Sequence, residues 1–299
     1  MSILDNKKFN INLIFKESSL PRLETEILVS FLTKKSREHL LTHPNLKISG
    51  AIFNKYKKLE LKRRQNWPIA YLVGHKEFYS LDLKVSPAVL TPRPETELIV
   101  DEVISLMRSE RSAGGPLIID VGTGSGAIII AIAAELKRLF PARFKKTSFA
   151  AIDISAAALR LARQNAKKHQ LTRKIKFYRG NLLTPLLPDI KKIPNRQLVI
   201  TANLPYLTPA QIRTSPSIRR EPKLALNGGK DGLKYYRELF RQLAKLTGLH
   251  DGWRLFCEID PSQANPINNL AKHYFPAAKS AIKRDLAGRN RLLVSRSGK

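Results

Sequence analysis

The stretch Ile118–Leu136, IIDVGTGSGAIIIAIAAEL, decides how this chain of 299 residues folds. An apolar run reaches Asp120 and Val121, passes Gly122, Gly124 and Gly126, and continues as a longer apolar run that reads as helix. Strand, tight loop, helix is the pattern predicted here. Glycines at that junction let the backbone come close to a ligand and turn sharply into the helix N-terminus. A plain structural turn is the alternative.

The spacing narrows the ligand. A nicotinamide loop reads G-x-G-x-x-G, whereas residues 122–126 read Gly-Thr-Gly-Ser-Gly, so a dinucleotide is the weaker reading. No lysine is present to cradle phosphates, and Gly122, Thr123, Gly124, Ser125 and Gly126 suit an adenosyl ligand without them, such as S-adenosylmethionine. The next apolar run, FAAID, ends in Asp153. An acid at that strand tip can bind both ribose hydroxyls, or it can cap the helix that starts at DIS. Asp120, at the first strand's tip, either anchors the loop or faces the methionine end of the ligand.

Working outward, strands and helices alternate. KIKFYRGN and RQLVITANLPY read as strands, KYYRELFRQLAKL as a helix, and WRLFCEI as a strand. AAKSAIKRDLAGRNRLLVSR reads as two strands around a glycine-containing turn. Such alternation predicts an α/β fold, a parallel sheet covered by helices on both faces, with an antiparallel hairpin at its edge. Residues 1–70 read as a small helical domain, with Leu23, Ile27, Leu28 and Phe31 at helical spacing and then Ile52, Tyr56 and Leu59 on one face. Tyr71 onward, through EFYSLDLKV, reads as a β-hairpin linker over 71–92. Two prolines in LTPRPETE end that strand before a helix, with Glu95 and Glu97 in its first turn. The main domain spans 93–299.

RQLVITANLPY ends on Asn203-Leu204-Pro205-Tyr206. An amide or aromatic amine nitrogen is a poor nucleophile because its lone pair is delocalised. Two acceptors on its hydrogens would localise that pair and aim it at a methyl group. The Asn203 side-chain oxygen is one such acceptor, and the Leu204 carbonyl is a second. Pro205 fixes φ and removes a competing donor, and the Tyr206 ring can cover a flat substrate. Catalysis would then rest on positioning and electrostatics. Asn-x-Pro as a mere turn is the alternative.

Composition sets outer bounds. The chain is 43% hydrophobic, enough for a real core, and no apolar run is long enough to span a bilayer. The first twenty residues lack the pattern of a secretory leader. A single cysteine, Cys257, lies in an apolar run and reads as buried; it excludes a disulfide framework or a cysteine-based metal site. No metal is expected, and a cytoplasmic protein is. The net charge is +29, with pI ≈ 10.4. It is spread along the chain: residues 1–90 hold 16 Lys/Arg against 8 Asp/Glu. Such a field attracts RNA; a generally basic host proteome is the other explanation.

TPRPETE, DVGTGSGAI, AIDIS with LARQNA, NLPYL, and EPKLALNGGKDGLKYYRELF, in that order, resemble the HemK/PrmC family of protein-(glutamine-N5) methyltransferases. The likeness covers residues 70–299 by motif, and the helical residues 1–70 agree in type and length. It implies a class I S-adenosylmethionine-dependent methyltransferase fold, Rossmann-like and seven-stranded. It also implies methylation of the glutamine in the Gly-Gly-Gln loop of a peptide chain release factor. On that resemblance Gly122–Gly126 line the cofactor, Asp153 binds its ribose, and Leu182 sits near its adenine. Asn203–Tyr206 hold the substrate glutamine, the N-terminal helices dock the release factor, and a monomer is expected. Leu204 replaces the family's first proline, giving a motif like that of ribosomal RNA adenine dimethyltransferases, and Asn181 stands where the family often has an acid. A nucleic-acid N6-adenine methyltransferase is therefore the competing enzyme reading. A non-catalytic RNA- or ribosome-binding protein is the competing binding reading.

Overall fold

A computed structural model describes residues 9–109, 115–193, 196–246 and 252–297. Part of the N-terminal stretch read for a leader, residues 1–8, lies outside them. Two compact units form: Met1–His75 with Ser215–Arg220, and Lys76–Thr214 with Glu221–Lys299.

The first unit holds β1 (Phe9–Asn10), α1 (Ile11–Glu17), α2 (Arg22–Thr33), α3 (Arg37–Thr42), β2 (Lys47–Ile48), α4 (Gly50–Arg64) and α5 (Ile69–Val73). The side chains of Asn10, Ser36 and Ser49 cap α1, α3 and α4, each accepting from a backbone N–H of the first turn. Ile11, Ile14, Leu28, Val29, Leu40 and Tyr56 form its core, with Ile52 and Leu59 packed at the margin. The α2 face differs from the expected one. Leu23 and Phe31 are 52% and 42% exposed, while Thr25 and Glu26 are buried beside Leu28 and Val29. Periodicity favoured the apolar stripe, but hydrogen bonding decided it. Thr25 bonds Ser18 at 2.7 Å, and the carboxylate of Glu26 accepts from Arg22 and Arg37, each at 2.8 Å. Those hydrogen bonds hold the Glu26 carboxyl below its usual range. Tyr71–Val73, read above as the start of the hairpin, is instead the end of α5, stopped by Gly74 in the left-handed region. His39 and His43, an i,i+4 pair overlooked in the sequence, stack with ring centroids 4.2 Å apart. Among the described residues no group of three or more metal-ligating side chains forms.

The second unit opens with the hairpin β3 (His75–Phe78) and β4 (Leu81–Lys84). Glu95 then falls in a 3₁₀ turn, Pro94–Thr96, and Glu97 starts α6 (Glu97–Ser109). The remainder runs β5 (Leu117–Val121), α7 (Ala127–Leu139), α8 (Pro141–Lys146), β6 (Ser148–Asp153), α9 (Ala156–Lys168), β7 (Ile175–Arg179), α10 (Leu187–Lys191), β8 (Leu198–Ala202), α11 (Pro209–Thr214), α12 (Lys234–Ala244), β9 (Arg254–Glu258), α13 (Ala264–Tyr274), β10 (Lys279–Arg284) and β11 (Asn290–Arg296). Helices α8, α10, α11 and α13 were not predicted. Three of them start at or near a proline, which the first helical turn tolerates because its N–H groups have no intrahelical partner.

The sheet order is β10-β11-β9-β8-β5-β6-β7. Strands β5 to β9 run parallel, while β11 is antiparallel to both β9 and β10. This is the expected mostly parallel seven-stranded sheet with its antiparallel hairpin. Every residue of β5 and β8 is buried, as strands covered on both faces must be. Alternate side chains supply two cores. Ile119, Ile200 and Leu255 meet Tyr236, Phe240 and Ile267 on one face. Ile118, Val199 and Phe256 meet Val103, Ile129 and Ile132 on the other. Cys257 is buried as expected, and burial pushes its thiol pKa up. The strand order reverses between β5 and β8, successive strands being added to one side and then to the other, so the carboxyl ends of these parallel neighbours open a crevice.

Candidate active site

A cavity of ≈ 220 Å³ occupies that crevice. Residues 88–93, 122–125, 152–155, 180–182 and 203–205 line it, with Thr96, Ala127, Ile128, Ala158, Pro222, Leu224, Ala225 and Tyr235. The expected Gly122, Thr123, Gly124, Ser125, Asp153, Leu182, Asn203, Leu204 and Pro205 therefore meet in one place. Asp120, Gly126 and Tyr206 lie behind the surface. Gly126 caps α7, where a Cβ would strike Ile130 at 2.8 Å.

The loop after β5 is pinned from several sides. Gly122 and Thr123 donate their N–H groups to the Ile152 carbonyl at 2.9 Å. Asp153 Oδ2 accepts from Gly124 N at 2.9 Å, and its Oδ1 accepts from Ser155 N at 2.8 Å. Capping of α9 belongs to Ser155, whose Oγ accepts from Ala158 N. Asp153 thus ties the glycine loop to the start of α9 while edging the cavity, and burial raises its pKa. Gly122 has φ +74, and a Cβ there would lie 2.9 Å from Leu204 Cδ2. The glycine loop and the Asn203–Tyr206 segment therefore pack closely, and a side chain at 122 would displace the Leu204 side chain as well as strain the backbone.

Asp120 is fully buried and accepts from Thr123 Oγ1 at 2.6 Å and Thr201 Oγ1 at 2.9 Å. This is the geometry of a loop anchor. Burial, opposed by those hydrogen bonds, raises its pKa to about 6. The folded state thus holds a proton that the unfolded chain releases near pH 4, so stability falls as pH rises from about 4 to 6. Asp120→Asn should remove this slope. Denaturant midpoints taken from pH 4 to 7 are expected to fall in the wild type relative to the variant up to about pH 6, and to run parallel above it.

Behind Asn203 lies a polar cluster. Asn203 Nδ2 donates to Glu258 Oε2 at 2.9 Å and to Thr96 Oγ1 at 3.1 Å. Thr96 Oγ1 donates to Glu258 Oε2 at 2.6 Å, and the Tyr206 hydroxyl to Glu258 Oε1 at 3.1 Å. The Tyr236 hydroxyl donates to the Glu258 main-chain carbonyl and accepts from Leu204 N at 3.3 Å. Burial raises the Glu258 pKa. Arg93, also a lining residue, pairs at 2.5 Å with Glu221, whose side chain is buried. Thr96, Glu258, Tyr235 and Tyr236 were missed in the sequence. An acid closing the apolar run WRLFCE was the available signal for Glu258, the same signal that singled out Asp153.

The loop following this segment is held backbone against backbone. Leu207 N donates to Leu226 O, Gly228 N to Leu207 O, and Lys234 N to Gly228 O. Gln263 Nε2 donates to Tyr206 O at 2.8 Å. A Cβ on Gly232 (φ +75) would meet Gln263 Nε2 at 2.0 Å and Tyr206 O at 2.2 Å.

These residues fit S-adenosylmethionine. The charged lining residues are Arg93 and Asp153, and with Arg93 already paired the cavity offers no cradle for a polyphosphate. Ile154 and Leu224 line it while 52% and 53% exposed, bare apolar surface suited to a flat heterocycle. Leu182 is held beside them at φ +51.

A model described as "PrmC N-terminal domain" matches residues 12–74, and one described as "Methyltransferase domain" matches residues 114–249. The human METTL16 N-terminal domain, crystallised with SAH, superposes with a TM-score of 0.52 at 14% identity over 96% of this chain and 97% of that one, which shows the fold. The release factor glutamine methyltransferase of Coxiella burnetii is 35% identical, covering 94% of each chain. That of Bacillus subtilis is 31% identical over 90% of this chain and 89% of its own. That of Moorella thermoacetica is 37% identical, over 92% of this chain and 91% of its own. At such identity over nearly the whole length, this chain belongs to the release factor glutamine methyltransferase family.

Proposed function

We propose that this protein methylates the side-chain amide nitrogen of the glutamine in a release factor's Gly-Gly-Gln loop. The supporting observation is the meeting of Asn203, Leu204 and Pro205 with the glycine loop and Asp153 around one cavity. When bound, S-adenosylmethionine supplies an electrophilic sulfonium methyl. Asp153 would hold the ribose, Leu182 and Ile154 would flank the adenine, and residues 122–125 would bring the backbone against the ligand. Asn203 Oδ1 and the Leu204 carbonyl accept the two hydrogens of the glutamine amide. This localises the nitrogen lone pair and fixes its line of attack. The nitrogen would bond to the methyl carbon as that carbon's bond to sulfur breaks, the electron pair leaving on the resulting thioether, and would afterwards release one proton to solvent. Tyr206, with its hydroxyl held by Glu258, stiffens the segment at its far end.

Leu204 favours the protein substrate less than a proline would in sequence, yet its environment accounts for it. Its side chain packs on Gly122, and its N–H, which proline would lack, is taken by Tyr236. In the first unit, which we assign to docking with the boundary near residue 70, Phe31, Leu59 and Leu61 floor a groove of ≈ 540 Å³ edged by Lys55, Lys58 and Lys62. It suits an apolar segment of the release factor flanked by acids. On this reading the protein works as a cytoplasmic monomer, and its +29 charge adds attraction to RNA.

Labelled cofactor offered together with a release factor and ribosomal RNA tests the reading. Label is expected on the glutamine. Label on RNA alone would establish the adenine methyltransferase instead.

A further inference from the structure

Glu258 closes β9 and is 2% exposed. Three donors converge on its two oxygens, from Asn203, Thr96 and Tyr206, an arrangement that suits the acceptor-only, ionised carboxylate and offsets part of the penalty that burial puts on its charge. The Asn203 atom facing it is the amide nitrogen. Thr96 gives its one hydroxyl hydrogen to Glu258, so towards Asn203 it can only accept. Both Nδ2 hydrogens are thereby committed, and Oδ1 accepts nothing from the described residues. An amide turned by 180° would set oxygen against carboxylate and leave Thr96 without its donor.

We infer that Glu258, with Thr96 as relay, is the positioning residue that locks the Asn203 amide so that an acceptor faces the substrate nitrogen. This rests on the reading of Asn203 given above. It assigns a purpose to a carboxylate that lies outside the cavity lining. The same group anchors Tyr206, so both ends of the Asn203–Tyr206 segment hang from one side chain.

A double-mutant cycle tests it. Glu258→Gln offers Asn203 either an oxygen or an NH₂, so the amide can invert. The kcat is expected to fall about 10- to 100-fold, while the cofactor Kd stays within about twofold. Asn203→Asp sets two carboxylates face to face and should be worse. Combining the two lets the new carboxamide donate to the new carboxylate, whose second oxygen then faces the substrate. The double variant is expected to exceed Asn203→Asp by about tenfold or more in single turnovers counted per folded, cofactor-binding molecule, so that recovered folding on relief of the charge clash is not scored as rescue. A double variant no faster than Asn203→Asp would overturn the inference. If the wild type labelled RNA and not the release factor, the glutamine reading would fail. The rescue would then be read on the RNA amine, which makes the same demand for an acceptor.

Discussion

Asn203→Ala is expected to lower methyl transfer by about 10³-fold while cofactor affinity changes by less than about tenfold. The asymmetry follows from geometry. Asn203 edges the cavity at the end of β8, whereas Asp153 and the glycine loop belong to the ends of β6 and β5. On the proposed mechanism, removing the amide takes away one of two acceptors on the reacting nitrogen, an interaction that matters most as the lone pair localises. A preorganised group of this kind is worth about 10² to 10³ in kcat. The deletion also strips one donor from the buried Glu258 carboxylate, which costs about 1–3 kcal/mol of stability. Rate should therefore be taken from single turnovers on folded protein, with calorimetric titration for the cofactor. Turnover within a few-fold of wild type would refute the role.

Gly232→Ala is expected to damage both stability and rate without touching a ligand. Its φ of +75 alone costs an L-residue about 1–2 kcal/mol. The new methyl would also lie 2.2 Å from Tyr206 O, a backbone atom that cannot swing aside, and 2.0 Å from the Gln263 amide that holds it. Strain and clash together should lower unfolding stability by about 3 kcal/mol or more. The segment carrying the Leu204 carbonyl must shift, and a displacement of about 1 Å in a positioning group costs about 10²-fold in rate. Shortening Gln263 to alanine in the same background should restore only part of the loss, because the carbonyl contact remains. Denaturant midpoints and kcat of the two variants measure this, and a wild-type midpoint in Gly232→Ala would contradict the packing described.

The fold could be read because β5 and β8 are covered on both faces. Their apolar runs, and the switch to helical spacing after Gly126, leave little ambiguity. Gly122, Asp153 and Asn203 could be read because glycine, acid and amide at strand tips are anomalies against an apolar background. Glu258 is the same kind of anomaly, but the cysteine beside it drew the reading towards the core. Thr96 could not be found in this way: it meets Glu258 162 residues further on, and such a pairing exists only in the folded molecule. The α2 face was misjudged for a related reason. Two arginines make Glu26 fit to bury, and one of them, Arg37, lies on another helix.

The antiparallel strand β11 has a consequence for how the protein is made. It is the direct neighbour of β9, pairing Leu292 with Glu258 and Leu293 with Cys257, yet the chain reaches it only after α13 and β10. During synthesis β9 therefore waits as an open, apolar edge, the kind of surface that recruits other chains. The strand that carries Glu258 is sealed late, by an element that contributes no residue to the cavity lining. For this protein, the hazard of aggregation and the completion of the site are settled at the same moment of assembly.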